Sequence, residues 1–120
     1  MSANPDHPIR IEPNPNRVRV RLGDMVVADT SRAQTLFEAS YRPVQYVPRD
    51  DVDMSLLKRT THKTHCPYKG DAAYYTIEAG GRAVENAVWT YETPFPGVAD
   101  IAGYLAFYPN KVEITEDKAK

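Results

Sequence analysis

Apolar and basic residues alternate strictly over residues 17–22, which read Arg-Val-Arg-Val-Arg-Leu. Alternation with a period of two is typical of a half-buried β-strand. Gly23 and Asp24 follow, and residues 25–29 are again mostly apolar. Glycine at the first position of a two-residue loop suits a type II′ turn, so we predict a β-hairpin here. Its register opposes two apolar pairs, Leu22 with Met25 and Val20 with Val27.

The same strand places three arginines on the face opposite its apolar residues, because successive side chains of a strand point to opposite faces. These arginines are Arg17, Arg19 and Arg21. We expect them to form a solvated outer face, and an anion-binding stripe is the alternative interpretation.

The strongest β pattern lies in residues 72–79 and 82–91, on either side of Gly80-Gly81. A turn at the two glycines predicts a hairpin. The predicted pairs are Ile77 with Val84 and Ala73 with Val88. Tyr74 and Trp89 then fall together on the opposite face. Because both faces carry large residues, we expect this hairpin in the middle of a two-layer protein.

The remaining segments predict shorter elements, separated by prolines and turns. They are a helix or strand at residues 31–39, a strand at 41–48, a short helix at 52–57, a loop at 93–97, a helical turn at 98–105, and a final hairpin of residues 105–108 and 111–115. About seven strands with one or two short helices predict a mainly β fold, as two packed antiparallel sheets or an open barrel. We expect an extended N-terminal arm at residues 1–16, a single β-rich domain at 17–115 and a frayed tail at 116–120.

Composition fits one small folded domain and excludes several kinds of site. The length of 120 residues is near the commonest domain size. Fifteen basic and sixteen acidic residues leave a formal charge of −1, so we expect no nucleic-acid partner. A single cysteine excludes an intramolecular disulfide and a four-thiolate zinc site. Neither a signal-peptide pattern nor a run of about eighteen apolar residues occurs, so we expect a cytoplasmic protein without a membrane partner.

Reactive side chains are concentrated in residues 61–70, which read Thr-His-Lys-Thr-His-Cys-Pro-Tyr-Lys-Gly. Because the segment holds the only cysteine and two of the three histidines, we interpret it as a rigid loop that forms a site. Cations beside Cys66 favour its thiolate, and His62 or His65 could serve as a base. The alternatives are a buried structural thiol and a non-covalent contact in a pocket.

The segment does not match a metal site or a phosphate loop. His62, His65 and Cys66 lack a standard zinc spacing, and residues three apart on a strand point to opposite faces. A Walker motif requires Ser or Thr and a helix after its lysine, whereas Lys69-Gly70 is followed by an aspartate and a predicted strand. We therefore predict no metal and no cofactor. Lys69 either clamps a simple anion or forms a salt bridge across a turn.

Aromatic residues lie near this segment in the predicted pairing. Aromatic side chains usually belong to the core, but a ligand pocket walled by rings has the same appearance in sequence. Glu38, Glu78 and Glu85 offer carboxylates that cannot be placed as an acid–base pair. The candidate pocket residues are His62, His65, Cys66, Tyr68, Lys69, Tyr74, Trp89 and Tyr91.

Several short segments, spread over nearly the whole chain, carry a family resemblance. They are His7-Pro8-Ile9, Arg17-Val18, Val27-Ala28-Asp29, residues 46–52, Cys66-Pro67-Tyr68-Lys69-Gly70, Tyr74-Tyr75, residues 87–91 and Phe107-Tyr108-Pro109. In these the chain resembles the bacterial family called domain of unknown function 427, sometimes labelled nucleotidyltransferase-like. The resemblance implies a compact β-rich domain related to the tent-like arrangement of two orthogonal sheets. That arrangement often binds zinc through paired Cys-x-x-Cys motifs, which this chain lacks, and the family supplies no established catalytic residues.

Three hypotheses of function are open. The first is a small-molecule binding or catalytic pocket formed by residues 61–70 and the Trp89-x-Tyr91 strand. The alternative is a non-enzymatic protein-interaction module in which Cys66 is buried, Pro67 and Gly70 fix a turn, and Lys69 is paired. A nucleotidyltransferase-like enzyme is third, because paired metal-binding carboxylates and a Gly-Ser phosphate signature are missing. The proline-bounded strand at residues 41–48 offers an edge for pairing between subunits, so a homodimer is compatible with the sequence.

Overall fold

The computed structural model describes residues 8–119, which form ten β-strands and three short 3₁₀ helices. The strands are β1 (Ile9–Asn14), β2 (Arg17–Leu22), β3 (Met25–Thr30), β4 (Ala33–Glu38), β5 (Val44–Tyr46), β6 (Leu57–Cys66), β7 (Gly70–Ala79), β8 (Arg82–Thr90), β9 (Leu105–Phe107) and β10 (Glu113–Asp117). The 3₁₀ helices are Arg49–Asp51, Met54–Leu56 and Pro96–Ile101. Among residues 8–119, no helix is long and apolar enough to cross a membrane.

Residues near both ends of the chain pair in sheets instead of forming a free arm and a frayed tail. The first seven residues of the expected N-terminal arm lie outside the described residues, as does Lys120. The rest of that arm contains β1, which pairs antiparallel with β4. At the other end Glu116 and Asp117, which we expected to fray, complete β10 and pair with β2.

The mainly β class with antiparallel pairing is confirmed, and the strands divide into three sheets. Their orders are β1-β4-β5, β10-β2-β3 and β6-β7-β8-β9. One isolated bridge, Val47 with Leu105, connects the end of β5 to β9, and another, Ala28 with Val52, attaches the segment between two 3₁₀ helices to β3. Proline cannot donate to a strand ladder, and Pro43 and Pro48 confine β5 to three residues. The β4–β5 hairpin therefore contributes a bridge to the central sheet rather than a further strand.

Several local predictions change in the structure. In the segment 31–39, where helix and strand were both open, residues Ala33–Glu38 form strand β4. Of the helix expected at residues 52–57, only Met54–Leu56 form a 3₁₀ turn, which ends where β6 begins. The final hairpin prediction is wrong, because β9 pairs with β8 whereas β10 pairs with β2. Local apolar patterns locate these strands, but pairing between distant segments decides their sheets.

The first hairpin matches its predicted bounds but not its whole register. Leu22 opposes Met25 as predicted, and Gly23 has φ +59°, as a type II′ turn requires. A bulge between Val20 and Arg21 then places Val20 opposite Ala28 instead of Val27. The arginine face carries acidic partners, since Arg17 donates two hydrogen bonds to Asp29 (2.9 and 2.7 Å).

The central hairpin also contains a shift. Ile77 opposes Val84 as predicted, but an irregularity between Tyr75 and Ile77 pairs Ala73 with Thr90 rather than with Val88. Its consequence is that Tyr74 lies directly opposite Trp89.

Both faces of the four-stranded sheet are buried, as expected for a central layer. On one face Tyr75, Ile77 and Val88 pack with residues of β2 and β3 in a first apolar cluster. On the other face Tyr74 and Ala106 pack with residues of β4, β5 and the last 3₁₀ helix in a second cluster. The second cluster also contains most of the aromatic residues predicted for the site.

Candidate functional site

Residues 61–70 do not form a loop. Thr61 to Cys66 continue the long strand β6, a three-residue turn follows, and Gly70 begins β7. Strand β6 is an edge strand, and most of its residues are exposed. A solvated edge strand needs no apolar alternation, which is why the sequence pattern did not reveal it.

The turn carries Lys69 into a buried ion pair. Its Nζ donates to Oε1 of Glu38 at 2.5 Å, and only 9% and 13% of the two side chains are exposed. The same Nζ lies 6.0 Å from the ring centroid of Tyr91. Two opposite charges therefore share a largely dry environment, and the salt bridge spans two sheets rather than the turn itself.

The backbone around both charges is tightly determined. Lys69 N–H donates to the Cys66 carbonyl at 3.2 Å, and Phe95 N–H donates to the Lys69 carbonyl at 2.9 Å. Gly70 has φ +116°, and a Cβ there would lie 3.5 Å from Cα of Pro94. Ala39, directly after the carboxylate partner, has φ +48°. Non-glycine residues rarely adopt positive φ, so strain accompanies the placement of this pair.

The aromatic side chains form a hydrogen-bonded group beside the ion pair. Trp89 Nε1 donates to Tyr46 Oη at 3.1 Å, and their rings meet edge to face. The Trp89 ring also lies 4.5 Å from the ring of Tyr108, which stacks on Tyr74. The hydroxyls of Tyr74 and Thr64 lie 3.0 Å apart. These rings belong to the core, yet each has a polar contact within it.

Burial raises the pKa of three phenols in this part of the structure. Desolvation is the largest cause that raises the pKa of Tyr46, Tyr91 and Tyr108 well above the ordinary value, and nearby acidic groups raise it further. At neutral pH these hydroxyls can donate or accept hydrogen bonds but cannot act as phenolate bases.

The histidines and the cysteine diverge along β6. His65 Nδ1 lies 2.6 Å from Oδ1 of Asp71 on the exposed side. The His62 ring lies 4.5 Å from the Tyr74 ring, whereas Cys66 is half-buried against the second cluster. Within residues 8–119, no three His, Cys, Asp or Glu side chains gather closely enough to hold a metal ion.

Two register shifts on either side of β7 open the surface near His62. The pairing of β6 with β7 shifts between Arg59 and Lys63. The pairing of β8 with β7 shifts between Val84 and Val88, opposite Thr76. Asn86, in the β8 bulge, has φ +50°, and its N–H donates to Thr76 Oγ1 at 3.3 Å. Thr60 Oγ1 donates to Asn86 Oδ1 at 2.7 Å, which ties the two bulges together across β7.

Three adjoining depressions form a continuous surface, which we call the trough. The two bulges line the first of these depressions. The first has a volume of about 620 Å³ and is lined by Thr60, Thr61, His62, Lys63, Thr76, Glu85 and Asn86. The second, about 320 Å³, shares His62 and Asn86 with it and adds Tyr74, Tyr108, Asn110 and Lys111. The third, also about 320 Å³, shares Asn110 and Lys111 and continues to Arg21 and Arg82.

Comparison with known families places this arrangement in context. The profile of the family described as domain of unknown function (DUF427) matches residues 10–118, nearly the whole chain. The chain belongs to the DUF427 family. No curated protein matches it significantly. The family description states no activity, so the roles of residues in this DUF427 domain rest on its own geometry.

The structure of the DUF427 domain separates the predicted site residues into two groups. His62 and Tyr74 line the trough, whereas Cys66, Lys69 and Tyr91 line none of its three depressions. Trp89 is half-buried and does not itself line the trough, but its ring lies against Tyr108, which does. Tyr68 is half-buried in the turn and His65 is exposed next to it.

Four residues important to this geometry were missed as candidates by sequence reasoning: Glu38, Asn86, Tyr108 and Lys111. Glu38 was noted only as a carboxylate that could not be placed in an acid–base pair, and its lysine lies in the β6–β7 turn of another sheet. Asn86 gains its role from a bulge, and a bulge depends on packing that the local pattern does not contain. Tyr108 appeared only in the predicted final hairpin and in the segments that carry the family resemblance, and its stacking on Tyr74 depends on the pairing of β9 with β8.

Proposed function

We propose that this DUF427 domain binds a polar small molecule in the trough. The observation that carries the proposal is the pair of bulges joined by the Thr60–Asn86 hydrogen bond. Bulges next to a site re-aim side chains and interrupt strand pairing, and here they leave a concave surface of about 620 Å³ in a sheet that is otherwise regular. Small-molecule sites are commonly concave, with a few convergent polar groups.

The chemistry of the lining favours a ligand with several hydrogen-bonding groups. The first depression offers hydroxyls, an imidazole, an amide, an ammonium and a carboxylate within one surface. The second adds the rings of Tyr74 and Tyr108. A ligand that presents both donors and acceptors, with a ring or apolar edge toward the tyrosines, matches this lining.

The ion pair of Lys69 and Glu38 has a supporting role in this proposal. Lys69 is 7% exposed and its ammonium is already bonded to a carboxylate, so it is poorly placed to receive a ligand. The pair joins the β6–β7 turn to the end of β4 and orders the second cluster, which in turn supports Tyr108. This arrangement favours a structural role for the turn while the trough carries binding.

A fragment screen tests the proposal. Sugars, amino acids and simple heteroaromatic compounds are titrated against ¹⁵N-labelled protein, and Trp89 fluorescence is followed in parallel because it is the only tryptophan. We expect saturable shifts at residues 60–63 and 85–86, and at least tenfold weaker binding in His62→Ala.

Lys58→Ala is the matched control, since it removes an exposed residue of the same strand that pairs with Glu78 and does not line the trough. Equal loss in both variants, or saturable shifts only outside the trough, would overturn the proposal. The latter outcome would indicate a small-molecule site elsewhere on the domain, whereas the absence of any saturable shift would favour the alternative of a protein-interaction module.

A further inference from the structure

The third depression of the trough collects cations that have no ion-pair partner among the described residues. Five described arginines form ion pairs with carboxylates: Arg10, Arg17, Arg19, Arg32 and Arg59. Among residues 8–119, no carboxylate lies within ion-pair distance of Arg21 or Arg82, and Lys111 donates to the backbone carbonyl of Glu85 at 2.9 Å. All three line the same depression. Their convergence is not a by-product of a basic protein, because the formal net charge is −1.

Three separate elements bring these charges together. Arg21 lies near the end of β2, Arg82 is the first residue of β8, and Lys111 lies in the turn that precedes β10. A Cβ at Gly23 would lie 3.6 Å from Nη1 of Arg82, so this guanidinium is held against the β2–β3 turn. Like charges that converge repel one another. The carboxylate of Glu113, the residue paired with Arg21 across β10 and β2, offsets only part of this repulsion, so the depression keeps an excess of positive charge.

The donor set also indicates what would satisfy it. Guanidinium groups present a planar fork of N–H donors that matches phosphate and carboxylate oxygens, and lysine adds a mobile point charge. Among the described residues of the lining, Glu113 is the one carboxylate. Three cations against one anion leave a surplus that fits an oxyanion with more than one negative charge.

We propose that Arg21, Arg82 and Lys111 form a binding site for a phosphate group. The site adjoins the part of the trough that holds Tyr108 through the shared residues Asn110 and Lys111. It stands independently of the proposed function, because inorganic phosphate alone would occupy it.

The test is a titration with inorganic phosphate, followed by ¹⁵N NMR, with sodium chloride adjusted to keep ionic strength constant. We expect saturable shifts of the Gly23, Arg82 and Lys111 amides in the wild type. Arg21→Gln and Arg82→Gln should each weaken binding at least tenfold. Melting temperatures are measured for both variants, and we expect them to be unchanged because the substituted side chains are exposed or half-exposed.

Arg42→Gln is the matched control, because it removes the same charge from an exposed arginine outside the three depressions. The absence of saturable shifts, or equal weakening in Arg42→Gln and Arg82→Gln, overturns the site in favour of diffuse charge attraction. Phenyl phosphate serves as a second probe. Tighter binding with added shifts at Tyr108 indicates a phosphate carried by a ligand of the trough, and equal affinity indicates the free anion.

Discussion

The β6–β7 hairpin contains two polar regions with opposite surroundings. At the turn, Lys69 and Glu38 form an ion pair whose side chains are mostly buried. Around His62 the same hairpin carries exposed Thr61 and Lys63 and half-buried Thr60 and Thr76, which line an open depression of about 620 Å³. The first region has every charge matched and little access, whereas the second has access and few fixed partners.

The difference shows that reactive residue types do not by themselves locate a site. Cys66 supplies a thiol and Lys69 an ammonium. Cys66 nevertheless packs against the second apolar cluster, and Lys69 is bound in its ion pair with Glu38. The access near His62 arises from two register shifts instead. Geometry therefore moves the functional hypothesis from the turn to the bulges.

The largest expected effect is the loss of one charge from the buried pair. Glu38→Ala leaves the Lys69 ammonium in a site where only 9% of its side chain is exposed. An unpaired buried charge costs about 3–5 kcal/mol, and we expect a loss of that size in the free energy of unfolding, measured with urea.

A neutral pair separates this charge effect from other contacts of Glu38. Combining Lys69→Met with Glu38→Leu removes both charges but keeps similar volume, and replacing a buried pair in this way is often neutral or stabilising. The double variant should recover most of the loss. If Glu38→Ala costs less than about 1 kcal/mol, as exposed pairs do, the two regions do not differ in the way described.

Features formed by residues close in sequence could be predicted from the sequence, whereas features formed by distant residues could not. The bounds of β2 and the pairing of Leu22 with Met25 follow from alternation and a glycine turn. The ion pair joins residues 31 positions apart on different sheets, and no local pattern contains that contact. The bulges at Thr60 and Asn86 depend on packing against both faces of β7, which is decided only when all layers are assembled.

A smaller effect is expected at the backbone of the closed region. Gly70→Ala introduces a side chain at φ +116°, and its Cβ meets the backbone of residues 93–95 at 3.5–3.7 Å. Strained φ values of this kind cost about 1–3 kcal/mol.

Gly81→Ala is the control, because Gly81 has φ +76° and nothing lies within 4 Å of the added Cβ. Because φ +76° lies nearer the left-handed region than φ +116°, we expect Gly81→Ala to lower the free energy of unfolding by about 1–2 kcal/mol. Urea unfolding should therefore rank Gly70→Ala as the more destabilised variant. The reverse order would show that the turn after Lys69 adapts easily and is not a rigid support.

A change of about 1 kcal/mol is expected in the open region. Thr60→Val removes the hydrogen bond that joins the two bulges, and a typical intramolecular hydrogen bond contributes about 0.5–1.5 kcal/mol. We also expect faster amide exchange at Asn86 and weaker binding of any fragment that occupies the trough.

Thr61→Val provides the comparison, since Thr61 is an exposed neighbour that lines the same depression. Its substitution should leave both stability and exchange at Asn86 nearly unchanged. Equal effects in the two variants would mean that the trough does not depend on the link between the bulges.

The smallest expected effect concerns the exposed ion pair of Arg59 and Glu92, which joins the start of the β6 bulge to the residue after Tyr91. Arg59 donates two hydrogen bonds to this carboxylate (2.7 and 2.8 Å), and they hold the pKa of Glu92 below its ordinary value. The folded state thus binds the Glu92 proton less tightly than the unfolded state. The stabilisation is complete above the unfolded pKa of about 4.3 and is lost as the pH falls through the lower folded value.

Glu92→Gln should accordingly cost less than about 1 kcal/mol at pH 7, because solvent screens the pair. The difference in unfolding free energy from the wild type should shrink as the pH falls below about 4, and also at pH 7 as salt is raised toward 1 M. Salt should leave most of the Glu38→Ala effect in place, since a buried pair is screened much less. If salt reduced both effects equally, the Lys69–Glu38 pair would share the solvent exposure of Arg59–Glu92. The turn would then have to be reconsidered as an accessible site.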